Sequence, residues 1–338
     1  MQAPQWQMAR LMDGYLVTQM LHVAAALGVA DALAERPQTS AELARVVGAE
    51  PSALHRVLRG LATEDVVTEA DDGRFALTPA GELLRDGVPG SLRGAVLARG
   101  QLYHDAAGRM LAGVRGEGVP YELANGAPFF DDLAEHPERE AAFQASMAGR
   151  SDQEVGDVVD AYDFAGIDRL VDVGGGAGNL LAAILRSAPG LTGVLFDRPG
   201  VAPAAEGRMR DAGVADRCEL VPGDFFASVP AGADAYVLSR VLHDWDDEDA
   251  GRILDRVRAA MGDGSRLLVV EAILPERAAD LAPAIRMDVN MLMLFAHARE
   301  RTESEFRELL ARAGLRLRAV FPTRSPAGLS VLEAVPTQ

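Results

Sequence analysis

The chain's residue pattern predicts an α/β Rossmann-like doubly wound sheet preceded by a mostly helical winged-helix domain. Three observations carry that expectation. The apolar run Leu170 to Val173 reads as a buried parallel strand and passes straight into Gly174, Gly176 and Gly178. From Ile167 onward such runs alternate with helical patterns, the sign of a sheet wound on both faces. Residues 39–77 instead read helix, turn, helix, hairpin, the order of a winged helix. The 338 residues thus divide into a winged-helix dimerisation domain at 1–95, a helical linker lining a ligand pocket at 96–165, and a ligand-binding sheet domain at 166–338.

Composition narrows the classes. A hydrophobic content of 49% is too high for a disordered chain. A net charge of -17 argues against a non-specific nucleic-acid or anionic-membrane surface. The single cysteine, Cys218, leaves no internal disulfide and no cysteine metal cluster, and fits a reducing cytoplasm. Met1 to Arg10 lacks the basic-then-apolar order of a signal peptide, and no uninterrupted apolar run is long enough to span a bilayer.

In chain order, Tyr15 to Leu33 carries helical apolar spacing interrupted at Gly28, as a core or subunit-packing helix would. Thr39 followed by Glu42 is a capping box, Val47-Gly48 ends that helix, and Pro51 opens the next, Ser52 to Ala62. Val66 to Thr68 and Arg74 to Leu77 flank a turn as a hairpin. DNA recognition by Ser52 to Ala62 is the alternative use of this unit. Against it, only His55, Arg56 and Arg59 are offered, while Glu64, Asp65, Glu69, Asp71 and Asp72 crowd the wing. Pro89 to Gly118 reads as helix broken by glycines, Val119 to Phe130 as an aromatic loop, and His136 to Tyr162 as a long helix. The sheet strands are expected at Leu170 to Val173, Leu191 to Phe196, Cys218 to Val221, Ala235 to Leu238, Leu267 to Glu271, Leu315 to Phe321 and Leu329 to Ala334.

Ligands of such sheets sit beyond the carboxyl ends of the strands, so those ends matter most. The first leads into the glycines, which permit a tight turn and close ligand approach. The second ends on Asp197, roughly 20 positions further on, where a nucleotide ribose is held. A nicotinamide fingerprint wants a third glycine where Asn179 stands; a turn with no ligand is the other alternative. The third strand is followed by Gly223-Asp224-Phe225-Phe226, a carboxylate and a ring that suit an adenine. Past the fourth come Ser239, Arg240 and His243, with the histidine at the mouth of the crevice. Asp246 to Asp249 read as capping of the next helix, Thr302 with Glu305 as another capping box, and Glu300, taken alone, as a solvated charge.

Val-Asp-Val-Gly-Gly-Gly-Ala-Gly, Phe-Asp-Arg-Pro, Gly-Asp-Phe-Phe, Leu-His-Asp-Trp-Asp-Asp-Glu, Glu-Ala-Ile-Leu-Pro and Glu-Arg-Thr-Glu-Ser-Glu-Phe occur in that order. Together they resemble the class I small-molecule O-methyltransferases dependent on S-adenosyl-L-methionine (SAM), of the plant caffeic-acid type, and their bacterial relatives acting on aromatic polyketides. The resemblance covers nearly the whole chain. It implies a homodimer formed through the N-terminal domain, His243 as general base, and Glu271 and Glu300 flanking and orienting its ring. It implies SAM contacts at Gly174, Gly176, Asp197, Asp224, Phe225, and Ser239 or Arg240. Ser239 stands where plant members often carry lysine, so that contact differs. The methionines that sandwich an aromatic acceptor match Met147 and Met291, with ordinary core packing as the alternative; Asp288 and Asn290 face the acceptor in the same reading.

The implied chemistry is methylation of a phenolic hydroxyl on a polyketide or quinone-type small molecule, without a metal. The histidines are scattered and no His-Glu-x-x-His occurs. The alternatives are a SAM-binding relative doing hydroxylation or decarboxylation, a winged-helix regulator that binds DNA, and a dehydrogenase on the same sheet.

Overall fold

Capping and breaker residues set the element boundaries in the N-terminal half. In the computed structural model, which describes residues 4–278, 283–325 and 327–337, the chain divides into two compact units, 1–150 and 151–338. In the first, Thr39 accepts from the Glu42 N–H while the Glu42 carboxylate accepts from the Thr39 N–H at 2.8 Å. The helix so capped, Ser40–Val47, ends at Gly48 in the left-handed conformation, and Pro51 starts Pro51–Thr63. Strands β1 (Gln38–Thr39), β2 (Val67–Glu69) and β3 (Arg74–Leu77) form a small antiparallel sheet in the order β1-β3-β2. Leu43, Leu54, Leu58, Leu61 and Phe75 make its core. The winged helix is therefore present, but Arg59 is paired with Glu69 at 3.4 Å and Arg74 with Glu42 at 2.9 Å.

Two expectations here need correction. The helix Arg93–Ala107 runs unbroken through Gly94 and Gly100. Gly100 is there for close approach, since a Cβ on it would meet His22 at 2.3 Å. Residues 119–130 are not a loop: Pro120–Asn125 and Phe129–Glu135 are short helices. Pro120 sits at a helix start and Gly126 at a stop, so residues read as loop punctuation act as caps. Tyr121 is buried and donates to Asp132 at 2.6 Å, whereas Phe130 is exposed. The helix Pro137–Ala161 runs across the division between the units.

The second unit is built on β4 (Arg169–Val173), β5 (Thr192–Asp197), β6 (Cys218–Pro222), β7 (Ala235–Ser239), β8 (Arg266–Leu274), β9 (Arg301–Thr302), β10 (Leu315–Pro322) and β11 (Leu329–Pro336). The sheet order is β10-β11-β8-β7-β4-β5-β6, with β9 beside β8. Helices cover both faces, so the central strands are apolar throughout; Leu170, Val171 and Val173 are fully buried. Only β11 runs antiparallel to its neighbours, making the sheet mixed. The connection from β10 at 323–328 is too short for a crossover, so the two strands form a hairpin. The chain leaves β4 toward β5 and β6, then returns to place β7 on β4's other side. That reversal opens a crevice above the carboxyl ends of β4 and β7.

Candidate active site

The glycine loop forms one wall of this crevice. Gly174, Gly176 and Gly178 all have positive φ, a conformation that side chains resist. Gly178 caps the helix Asn179–Ser187, and a Cβ there would strike Met209 at 2.5 Å and Leu195 at 2.7 Å. A Cβ on Gly174 would lie 3.0 Å from Val241 and 3.5 Å from Phe225, so loops from β4, β6 and β7 meet here. A Cβ on Gly176 would meet nothing within 4 Å, which leaves its backbone open to a ligand. The Asp197 carboxylate ties the loop by accepting from the Gly176 N–H at 2.8 Å and the Arg198 N–H at 2.6 Å. Each carboxylate oxygen retains acceptor capacity for a ribose hydroxyl.

Asp172, at the end of β4, is 1% exposed, and neither carboxylate oxygen has a hydrogen-bond partner among the described residues. Burial, then the charge of Asp197, pushes its carboxyl up to about 7. An orphaned acid beneath a glycine cradle suits a cationic ligand, because a cation supplies what burial removed. Phe225 is half-buried beside the loop, edge-on to Phe226 and Trp245. Asp224 is exposed, with one oxygen accepting from the Phe226 N–H at 2.8 Å. These groups fit SAM, a nucleoside carrying positive charge.

The opposite wall comes from the turn after β7. Ser239 ends that strand half-buried, and Arg240 follows with a left-handed φ of 56°. A non-glycine residue there costs about 1–3 kcal/mol and clusters at functional sites. Leu242–Asp244 then form one 3-10 turn, and Asp246 caps the helix Asp247–Ala260 by accepting from Glu248 and Asp249 N–H groups. His243, on the turn, is 6% exposed. Its Nδ1–H donates to Glu300 at 3.2 Å, and Glu271 lies 3.9 Å from the same nitrogen. The Glu271 carboxylate also accepts from the His243 backbone N–H at 3.3 Å. On the other side, Nε2 lies 3.3 Å from the half-exposed Asp244 carboxylate. Burial alone would push the imidazole down; Glu271, the Glu300 bond and Asp244 outweigh it and the opposing Arg240, and leave it raised. Glu271, fully buried, is itself pushed up by desolvation against the pull of His243.

Glu300 is 1% exposed, not the solvated charge it resembles in isolation. Asp288, half-buried on the helix Pro283–Leu294, accepts from the Glu300 N–H at 2.9 Å. On that helix Asn290 is half-buried and Met291 buried; Met147 is half-buried in the other unit. Sequence reasoning passed over Asp244, Val241 and Arg301. The last lay inside the quoted Glu-Arg-Thr triplet, but nothing in a one-dimensional pattern shows which charge is buried.

His243, Glu271 and Glu300 also present ligand atoms within 4.8 Å of one another, close enough to hold a metal ion. The Arg240 guanidinium interacts with all three and opposes a second cation there.

Residues 106–316 match the O-methyltransferase domain family, and residues 9–86 match the O-methyltransferase dimerisation domain family. Phenazine O-methyltransferase PhzM of Lysobacter antibioticus is 44% identical over 327 residues, covering 97% of this chain and 95% of the relative. The mitomycin biosynthesis 6-O-methyltransferase of Streptomyces lavendulae is 40% identical, covering 92% and 89%. The crystal structure of NcsB1, an O-methyltransferase from neocarzinostatin biosynthesis in complex with SAM and 2-hydroxy-5-methyl naphthoic acid, superposes with a TM-score of 0.79 at 36% identity, covering 95% and 96%. The chain belongs to the SAM-dependent O-methyltransferase family and is an enzyme of that family.

Proposed function

We propose that this enzyme methylates a phenolic hydroxyl of an aromatic natural product of polyketide or quinone type, with His243 as general base and no metal. The observation that carries the reading is the His243 environment: Nδ1 is committed to Glu300, which leaves Nε2 as the nitrogen to receive a proton. Nε2 lies beside the half-exposed Asp244, on the turn after β7 whose Val241 meets the glycine loop. The names of the relatives, which act on phenazine, mitomycin and naphthoate compounds, support the acceptor class.

SAM supplies a methyl group on a sulfonium, a leaving group that needs no further activation. Gly174, Gly176, Asp197 and Phe225, with Asp224 and Ser239 or Arg240, hold it at the ends of β4 to β7. A phenol, with a pKa about 10, keeps its proton at neutral pH. His243 takes that proton as the oxygen attacks, and Glu300 and Glu271 stabilise the imidazolium. Alignment of the oxygen with the methyl provides much of the acceleration. Met291 suits packing against an aromatic ring, and Asn290 and Asp288 lie on the same helix. The lone Cys218 fits a cytoplasmic site of action.

The test is a mass-spectrometric assay with SAM and a panel of hydroxynaphthoates, aminohydroxybenzoates and hydroxyphenazines. A methylated product is expected, against an oxygenated or decarboxylated one for the alternative chemistry. His243→Ala at the wild-type rate removes the base assignment, and loss of activity on EDTA dialysis, restored by a divalent ion, removes metal independence.

A further inference from the structure

Besides the Glu271 carboxylate on the His243 N–H, the turn that carries His243 is held by the strap 299–302, whose bonds are unevenly shared. The Arg299 N–H donates to the His243 carbonyl at 2.8 Å, and the Glu300 carboxylate takes the ring. Arg301 makes the other bonds from the strap, although its guanidinium is completely buried. Nη1 donates to the Leu242 carbonyl at 2.7 Å and Nη2 to the Trp245 carbonyl at 2.8 Å, the two ends of the turn. Nε donates to Asp247 at 3.0 Å, in the first turn of the following helix. Asp247 is shared with Arg299 at 3.9 Å and Arg312 at 3.5 Å. The strap itself is fixed by pairing of Arg301 with Ile273 and by the Thr302 capping box.

We propose that Arg301 is a positioning residue for the methyl-transfer reaction: its guanidinium pins both ends of the catalytic turn and so fixes His243 against Glu300. The proposal rests on the reading of His243 as base. Burying a guanidinium is costly, and an apolar side chain of similar volume would fill the space as well or better. What it could not do is span two carbonyls and a carboxylate at once. A lysine could not either, since its ammonium is a point charge without the planar fork. The adjacent Glu300 can meet Nδ1 only if the turn is held at that distance from the strap. A shift near 1 Å at such a site costs on the order of 10²-fold in rate.

The experiment compares Arg301→Lys with wild type in two ways. With the best acceptor from the panel, kcat is expected to fall by roughly 10- to 100-fold while the SAM dissociation constant stays within about twofold. Nitrogen-15 imidazole NMR of the ligand-free protein reads the pin directly: His243 should lose its Nδ1–H preference and titrate at lower pH than in wild type. A purely structural arginine lowers the melting temperature and leaves both readouts in place. If Arg301→Lys does not fold, Asp247→Asn, at a partly exposed helix start, makes the same test with a smaller expected fall. Wild-type kcat and an unchanged His243 titration in whichever variant folds overturn the assignment. His243→Ala is run alongside: if that variant keeps the wild-type rate, the base reading is what has failed, and the imidazole spectrum still decides whether Arg301 sets the ring.

Discussion

His243 is pulled two ways, by burial toward neutrality and by three carboxylates toward charge, and the carboxylates win. A general base must be unprotonated, so activity falls as pH drops through its folded value. Because that value is raised, the acid limb of kcat/KM is expected above the ordinary imidazole value of about 6.5. The same shift means that protonated His243 stabilises the fold below its unfolded value, and the gain is lost as pH rises through the folded one. Glu300→Gln removes the charge hydrogen-bonded to Nδ1, so its acid limb should move to lower pH and its kcat should fall; an unmoved limb contradicts the pairing. His243→Ala should lose about 10²- to 10⁴-fold in kcat. Asp172 has the opposite consequence for stability. Its carboxyl rises from the ordinary 3.8 to about 7, so the ligand-free fold loses stability as pH climbs between those values. At about 1.4 kcal/mol per pH unit the loss reaches at most about 4 kcal/mol. Asp172→Asn without SAM should therefore melt above wild type at pH 8 by urea or thermal unfolding, and the gap should shrink toward pH 5.

At the scale of elements, the site is two turns, one after β4 and one after β7, pressed together at Gly174 and Val241. Gly174→Ala puts a Cβ 3.0 Å from Val241 at a left-handed φ of 72°, which costs about 1–2 kcal/mol in backbone alone. It should weaken SAM binding in calorimetry, whereas Gly176→Ala, with open space around it, carries only the backbone penalty. The turn after β4 was legible in the chain, because a buried strand followed by glycine leaves a strong local signal; the turn after β7, with no glycine, was legible only as the end of an apolar run. The seven large strands, both capping boxes and the Asp246 cap lie where apolar runs and side-chain caps put them. What stayed hidden depends on contacts between distant residues. Glu300 taken alone reads as a surface charge; only the family resemblance, not its local pattern, put it beside His243, 57 positions away. Gly100 reads as a helix breaker until His22 is packed on it. The direction of β11 follows from a short connection whose hairpin geometry leaves no alternating pattern.

For the molecule as a whole, the first helices present apolar side chains that the described residues of their own unit leave exposed. Helix Pro4–Met12 buries none of its residues; Trp6 is 73% exposed and Leu11 62%, and Met12, Tyr15 and Leu16 are exposed as well. Exposed large apolar side chains gathered on neighbouring turns, rather than scattered singly, are expected at an association surface. It overlaps residues 9–86, the part matching the family's dimerisation domain. A second copy of the chain is the occupant expected, and light scattering should give the mass of a dimer. Leu11→Asp with Leu16→Asp should give a monomer at micromolar concentration, since each buried leucine contributes about 1.5–3 kcal/mol and each new carboxylate would be desolvated. Salt separates this from an interface built on ion pairs. With a net charge of -17 per chain, two copies repel one another over the whole surface. Screening weakens that repulsion and leaves apolar burial intact, so the dimer should tighten as ionic strength rises. A dimer that loosens with salt, or that survives both aspartates, places the interface elsewhere.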